Sequence, residues 1–167
     1  SSVSVPGKIV ARGETDVTWG TIRLLATKDN EQVTRLAFLL PEGAEKILEN
    51  VRLVRGGTSY RGTLETGLVV FEENIRLEKG QDSEWSLVAD IRSGAEMGAT
   101  FWYEMTNTAQ VLAKLNAESV SILGAFPLVG SAFEVGTTET VFCTMIYQPV
   151  CGRVYPTLPC SSSSECS

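Results

Sequence analysis

The sequence predicts an all-β protein, a two-sheet antiparallel sandwich over residues 1–140 followed by a short tail over residues 141–167. Apolar residues recur at every second position in several segments, as in Trp85-Ser86-Leu87-Val88-Ala89-Asp90-Ile91, which is typical of strands with one buried face. Turn-forming residues recur about every dozen positions, the spacing expected of a sandwich or barrel. All four cysteines lie at or after residue 143, so we expect covalent cross-links in the tail alone.

The alternation places the strands in order along the chain. They are expected at residues 8–12, 17–27, 32–40, 50–55, 58–64, 68–78, 84–92, 99–112 and 117–123. Residues 44–48 are the only helical segment, long enough for one turn. Residues 1–13 and 124–140 are expected to form terminal strands or linkers.

A change of apolar phase occurs inside the second expected strand, near Gly20. It separates two sets of apolar residues, Val17 and Trp19 on one side and Ile22, Leu24 and Ala26 on the other. Because side chains of a regular strand alternate strictly between its faces, we expect a bulge or a change of sheet at this glycine.

Composition excludes several classes of function. The net charge of −6 disfavours partners with phosphate backbones and anionic membrane surfaces. No segment has the roughly 20 consecutive apolar residues of a membrane-spanning helix. The chain contains no histidine, which removes the usual general base and the commonest zinc ligand. We therefore predict no enzyme activity, no metal site and no cofactor.

The cysteines predict an oxidising, extracellular compartment. Their positions are Cys143, Cys151, Cys160 and Cys166, an even number at close spacing. Four cysteines allow three pairings, and the sequence leaves that choice open.

Residues 8–123 resemble the immunoglobulin-like modules of bacterial surface proteins. The resemblance is carried by patterns such as the segment from Asn50 to Gly57, Asn-Val-Arg-Leu-Val-Arg-Gly-Gly, and by Leu77-Glu78-Lys79-Gly80 before the Trp85 strand. Such modules occur in cell-wall-associated or filament-forming proteins. The resemblance therefore implies an extracellular structural or adhesive role without catalytic residues.

The segment from Cys143 to Gly152 is similar to the reactive loop of Kazal-type serine protease inhibitors. Seven residues separate its two cysteines, with Tyr147, Pro149-Val150 and the final glycine at matching places. The resemblance implies a loop formed by four residues, of which the second would enter the specificity pocket of a secreted serine protease: Thr144, Met145, Ile146 and Tyr147. The family's following Thr-Tyr, loop-bracing Asn and helix do not follow Gly152 in this sequence, so either the sequence continues in a longer protein or the segment is a vestige. A tail cross-linked by two disulfides, without inhibitory activity, is the preferred interpretation.

The leading functional hypothesis is a non-enzymatic building block of a cell-surface filament, pilus or surface layer, with copies of itself as partners. Open-edged sandwiches either protect their edges or use them, and a terminal strand can complete the sheet of a neighbouring copy. The preferred donor is the N-terminal arm, which offers four apolar residues: Val3, Val5, Ile9 and Val10. The segment from Ser119 to Phe133 is the second choice.

Two other classes of function are kept as alternatives. One is a protease inhibitor acting through Met145. The other is a carbohydrate-binding adhesin, which needs an exposed aromatic platform. Trp19 and Trp85 are in phase with apolar neighbours and are expected in the core, while Trp102 is out of phase with its neighbours and is the candidate for exposure.

Overall fold

The chain forms an all-β body, as its sequence predicts. The structure is a computed structural model and describes residues 8–137. In this range the strands are β1 (Lys8–Val10), β2 (Val17–Leu25), β3 (Glu31–Leu39), β4 (Leu48–Arg55), β5 (Thr58–Arg61), β6 (Thr63–Glu65), β7 (Leu68–Phe71), β8 (Ile75–Leu77), β9 (Asp82–Ile91), β10 (Thr100–Phe101), β11 (Glu104–Met105), β12 (Val111–Leu115), β13 (Glu118–Ser119), β14 (Leu128–Val129) and β15 (Phe133–Val135). The expected helical turn is a 3-10 turn at Ala44–Lys46.

These strands form three sheets. A four-stranded antiparallel sheet has the order β2-β9-β4-β5. An eight-stranded sheet is built around β3, which pairs with β12 and β11 along one edge and with β7 and β8 along the other. A small sheet of order β1-β15-β10, called the terminal sheet below, joins the first and last strands of the described chain.

One hydrophobic core receives side chains from all three sheets. The alternation along β4 and β9 turns Leu53 and Leu87 inward, and both are completely buried. Phe38 of β3 and Phe101 of β10 enter the same cluster. Burying apolar surface yields about 25 cal/mol per Å², so this shared core is the main source of stability for the body.

The phase change expected near Gly20 is confirmed. The pairing of β2 with β9 shifts register between Thr18 and Gly20, so Trp19 and Ile22 are both buried although they lie three positions apart. The ring of Tyr103 lies directly against Gly20, and a methyl group on that glycine would overlap the ring. The glycine is therefore required by close packing.

The predicted strand over residues 99–112 is wrong in its extent, because the chain breaks there into β10, β11 and β12. A 3-10 turn at Thr108–Gln110 interrupts it. Asn107 accepts a hydrogen bond from the amide of Ala109 at 2.9 Å, and Gln110 accepts one from the amide of Asn107 at 3.2 Å. Reciprocal side-chain bonds of this kind begin a helical turn and compete with the strand ladder.

Three further expectations differ from the structure. The strands predicted over residues 58–64 and 68–78 are each divided in two, into β5 and β6 and into β7 and β8. The strand predicted over residues 117–123 is limited to Glu118–Ser119. The described part of the segment at residues 124–140, for which terminal strands or linkers were expected, contains the short strands β14 and β15.

We predict that Gly20→Ala destabilises the protein by about 1–3 kcal/mol, because the added methyl group forces the buried Tyr103 ring to move. The matched control is Gly57→Ala, since a methyl group added to Gly57 would meet no atom within 4 Å and the backbone there is not left-handed. Urea denaturation followed by tryptophan fluorescence measures both. Equal midpoints for the two variants would contradict the close packing at Gly20.

Candidate functional site

The first strand, β1, lies in a slot at the side of β15. The two strands run parallel, with Lys8 beside Phe133 and Val10 beside Val135. The amide of Gly136 donates a hydrogen bond to the carbonyl of Val10 at 2.9 Å. We call this position of β1 the terminal slot.

The three side chains of β1 lie in different environments in the terminal slot. Val10 is completely buried in the core. Ile9 is half exposed and lies over Gly136, where a methyl group would come within 2.7 Å of its Cγ2 atom. The Lys8 ammonium lies 5.9 Å from the ring centre of Phe133, within the range of a cation–π contact. The slot therefore selects an apolar residue at one position and tolerates exposure at the next.

On its other side, β15 is fixed to the body. Phe133 pairs with Phe101 of β10, and their rings stack with centroids 5.4 Å apart. The amide of Val135 donates to the carbonyl of Ala99 at 2.8 Å. Withdrawing β1 would therefore leave β15 in place as an open sheet edge with an empty apolar position, which is a template for another strand.

A hinge over residues 11–16 connects β1 to β2. The amide of Ala11 donates to a carboxylate oxygen of Glu14 at 2.8 Å. The amide of Gly13 donates to the carbonyl of Ile91 at 2.9 Å, and Arg12 donates through Nε to the carbonyl of Ala95. The amide of Ile91 in turn donates to the carbonyl of Glu14 at 2.8 Å, so the hinge is attached to the body by hydrogen bonds to residues far away along the chain.

The end of the hinge is clamped by Asp90. Its Oδ1 accepts from the amide of Asp16 at 2.9 Å, and its Oδ2 accepts from Asn50 at 2.9 Å. Arg52 joins both carboxylates, at 2.8 Å from Asp16 and 3.0 Å from Asp90. These bonds, led by the one from the Asp16 amide, lower the pKa of Asp90 below its ordinary value.

The second candidate donor, the segment from Ser119 to Phe133, lies largely on the surface. Leu123 is 91% exposed and Val129 is 59% exposed. Its strand β14 pairs with β11, while Phe126 packs partly against the core. Its last residues, Ala132 and Phe133, are buried, and Phe133 belongs to β15, so this end of the segment is part of the body and not a free strand.

Several predicted site residues lie outside the described residues. They are the donor residues Val3 and Val5, the four cysteines Cys143, Cys151, Cys160 and Cys166, and the proposed reactive loop of Thr144, Met145, Ile146 and Tyr147.

Among residues 8–137, no group of three or more acidic, cysteine or histidine residues is placed to hold a metal ion. No helix in this range is long and apolar enough to cross a membrane.

The tryptophans occupy the environments that the alternation predicts. Trp19 and Trp85 are buried at 2% and 4% exposure. Trp102 is partly exposed and donates through Nε1 to Glu104 at 3.1 Å. The described body thus offers one partly exposed tryptophan.

The partner of β1 was missed by the sequence analysis. Phe133, Val135 and Gly136 form the wall of the slot, far from β1 along the chain. The available signal was the apolar-polar-apolar pattern Phe133-Glu134-Val135 just before a glycine, which is a short strand pattern. Pairing between two segments that lie far apart along the chain produces no recognisable pattern in the sequence of either segment.

We predict that Asp90→Asn lowers stability at neutral pH and that its deficit relative to the unmodified protein shrinks in acid. The pKa of Asp90 is lowered in the folded state, so its contribution is complete above the unfolded value of about 3.9 and is lost as the pH falls through the folded value. Urea midpoints at several pH values between 7 and 2 measure this. A deficit that does not change with pH would contradict the clamp.

Comparison of the chain with protein-family models, with curated proteins and with solved structures gives no match. The functional assignment therefore rests on the residues and geometry described above.

Proposed function

We propose that the protein is a non-enzymatic extracellular structural module, an immunoglobulin-like sandwich whose copies assemble into a surface filament, pilus or layer by exchanging the strand β1. The observation that carries this proposal is the terminal slot. A terminal strand of three residues contributes the completely buried Val10 and is joined to the body by a short hinge.

The sandwich assignment is supported by the arrangement of the sheets. The four-stranded sheet and the sheet around β3 contribute opposite halves of one core. Trp19 of β2 and Phe38 of β3 both contact the ring of Tyr103 edge-on, at centroid distances of 5.5 and 5.6 Å. Two sheets that interdigitate in this way enclose a core between them.

Exchange between copies requires no new contacts. A neighbour's β1 would make the same parallel ladder with β15 and fill the same apolar position as the chain's own strand. The free energies of the two arrangements then differ by hinge conformation and by the entropy of association, which is why terminal exchange is a low-cost route to assemblies. The main-chain ladder provides affinity, and the buried position provides specificity.

An open chain of such exchanges gives a polymer. Each copy would donate its own β1 and accept that of the next copy, a head-to-tail contact that extends until it closes into a ring. The cysteines of the tail support an oxidising compartment outside the cell. Both features agree with a surface building block.

We predict that Val10→Asp in the full-length chain abolishes assembly, because a carboxylate cannot enter the apolar position without a large desolvation cost. The matched control is Ile9→Ser in the same strand, which changes a half-exposed side chain and should leave assembly intact. Size-exclusion chromatography with light scattering and negative-stain microscopy compare the variants.

A second experiment tests whether β1 is the exchanged strand. Removing residues 1–10 should also prevent assembly, and a peptide of residues 1–16 should bind the shortened protein, while the same peptide with Val10→Asp should not. Normal polymers from the shortened protein would refute exchange of β1. Polymers from a folded Val10→Asp protein would do the same.

A further inference from the structure

A groove of about 560 Å³ opens between the β4–β5 hairpin and β8, away from the terminal slot. Its lining combines two arginines, two aromatic rings and small polar residues: Arg55, Gly56, Thr58, Tyr60, Asn74, Arg76 and Trp85. We call it the arginine groove. Its volume lies within the usual range for small-ligand sites, about 300–1,000 Å³.

The groove lies at the end of the core-facing side of the four-stranded sheet. Leu53 is completely buried and pairs with Tyr60 of β5 and Leu87 of β9. Arg55 and Trp85 are each two residues from one of these core positions, so they share the same face. The last position on the core-facing side of this sheet is therefore occupied by Arg55, where an apolar side chain would be expected to continue the core.

Arg55 and Arg76 differ from the other arginines of the described chain. Arg12, Arg23, Arg35, Arg52, Arg61 and Arg92 each make a side-chain hydrogen bond or ion pair within residues 8–137. Arg55 and Arg76 make none in that range, and no carboxylate lines the groove. Two cations that have no anionic partner among residues 8–137 thus line one groove of a chain with net charge −6.

The aromatic residues hold Arg55 in position. Its guanidinium carbon is 5.8 Å from the ring centre of Trp85, a cation–π contact. The Tyr60 ring is tilted by 33° against Trp85 at a centroid distance of 5.5 Å. Because Trp85 is buried at 4% exposure, it provides a rigid support, and an arginine fixed in this way loses less entropy when it binds an anion.

We propose that the arginine groove binds an acidic saccharide, with a sugar carboxylate between Arg55 and Arg76. Guanidinium groups pair with carboxylates through parallel, charge-assisted hydrogen bonds. Sugar hydroxyls suit the side chains of Thr58 and Asn74, and the half-buried Tyr60 offers an apolar ring beside them. The hydroxyl and amide side chains of Thr58 and Asn74 lie in the same groove as the two guanidinium groups, an arrangement that suits a ligand carrying hydroxyl groups beside its carboxylate.

This site is separate from strand exchange. None of its lining residues belongs to β1, β15 or the hinge, so saccharide binding and assembly can be measured independently. A result that refutes one of the two proposals therefore leaves the other untouched.

The test is a titration of the ¹⁵N-labelled full-length protein with trigalacturonate, followed through the indole signal of Trp85. We expect a saturable shift that weakens as salt is added, with no shift from the neutral galactose trimer. Arg55→Gln and Arg76→Gln should each weaken binding about tenfold or more, since each removes charge-assisted bonds. The control is Arg23→Gln on the opposite edge strand β2, where the arginine already pairs with Asp82 and Glu84.

Three results would overturn the proposal. One is the absence of a saturable shift at Trp85. Another is an equal loss of affinity in Arg23→Gln, which would reveal only a general charge effect. The third is tighter binding of tetraglutamate than of trigalacturonate, which would make the groove a peptide site. Thermal unfolding of each variant confirms that it is folded, and Arg76→Gln provides the second test where Arg55→Gln fails to fold.

Discussion

The packing of Tyr103 is the interaction on which the rest of the structure depends. This residue lies between β10 of the terminal sheet and β11 of the sheet around β3, and its hydroxyl donates to the carbonyl of Thr21 in the four-stranded sheet at 3.3 Å. The side chain thus connects the four-stranded sheet with Phe38 of the sheet around β3, and the backbone of Tyr103 continues directly from β10 of the terminal sheet. Gly20 and Gly130 make room for its ring, because a methyl group on either would overlap it. Burial raises the pKa of Tyr103, so the phenol stays protonated and able to donate.

Aromatic contacts extend this connection through the core. Trp19 meets the Tyr103 ring at 5.5 Å and the Phe101 ring at 6.0 Å, both edge-on. Phe101 in turn stacks on Phe133 of β15. Each such pair contributes about 0.5–1.5 kcal/mol beyond its buried area. The wall of the terminal slot is therefore part of the rigid body, whereas β1 is attached by three paired residues, a hinge and the clamp at Asp90. This difference in attachment is what the proposed exchange uses.

Much of the fold could be predicted from the sequence where one face of a strand is buried. The alternation placed β2, β3, β4 and β9 within a few residues, and the change of phase located the bulge at Gly20. The alternation did not predict the strand bounds where side-chain hydrogen bonds compete with backbone pairing between strands, as at Asn107. Of the candidate site, the apolar character of Val10 could be predicted, but its partner β15 could not, because pairing between segments far apart along the chain leaves no local sequence pattern. The arginine groove was missed for the same reason, since Arg55 and Arg76 come together only through sheet packing.

Native-state hydrogen exchange at the amides of residues 8–137 tests the central claim most directly, which is that Tyr103 unites the sheets while β1 stays separable. The amide of Gly136 reports on β1, and the amide of Val135 reports on the body. We expect Gly136 to exchange through an opening of lower free energy than Val135. Tyr103→Phe should lower the opening free energy of Val135 and of the amides between β2 and β9 by the same amount, about 1 kcal/mol, and leave that of Gly136 unchanged. Equal opening free energies for Gly136 and Val135, or an effect of Tyr103→Phe confined to one sheet, would contradict this account.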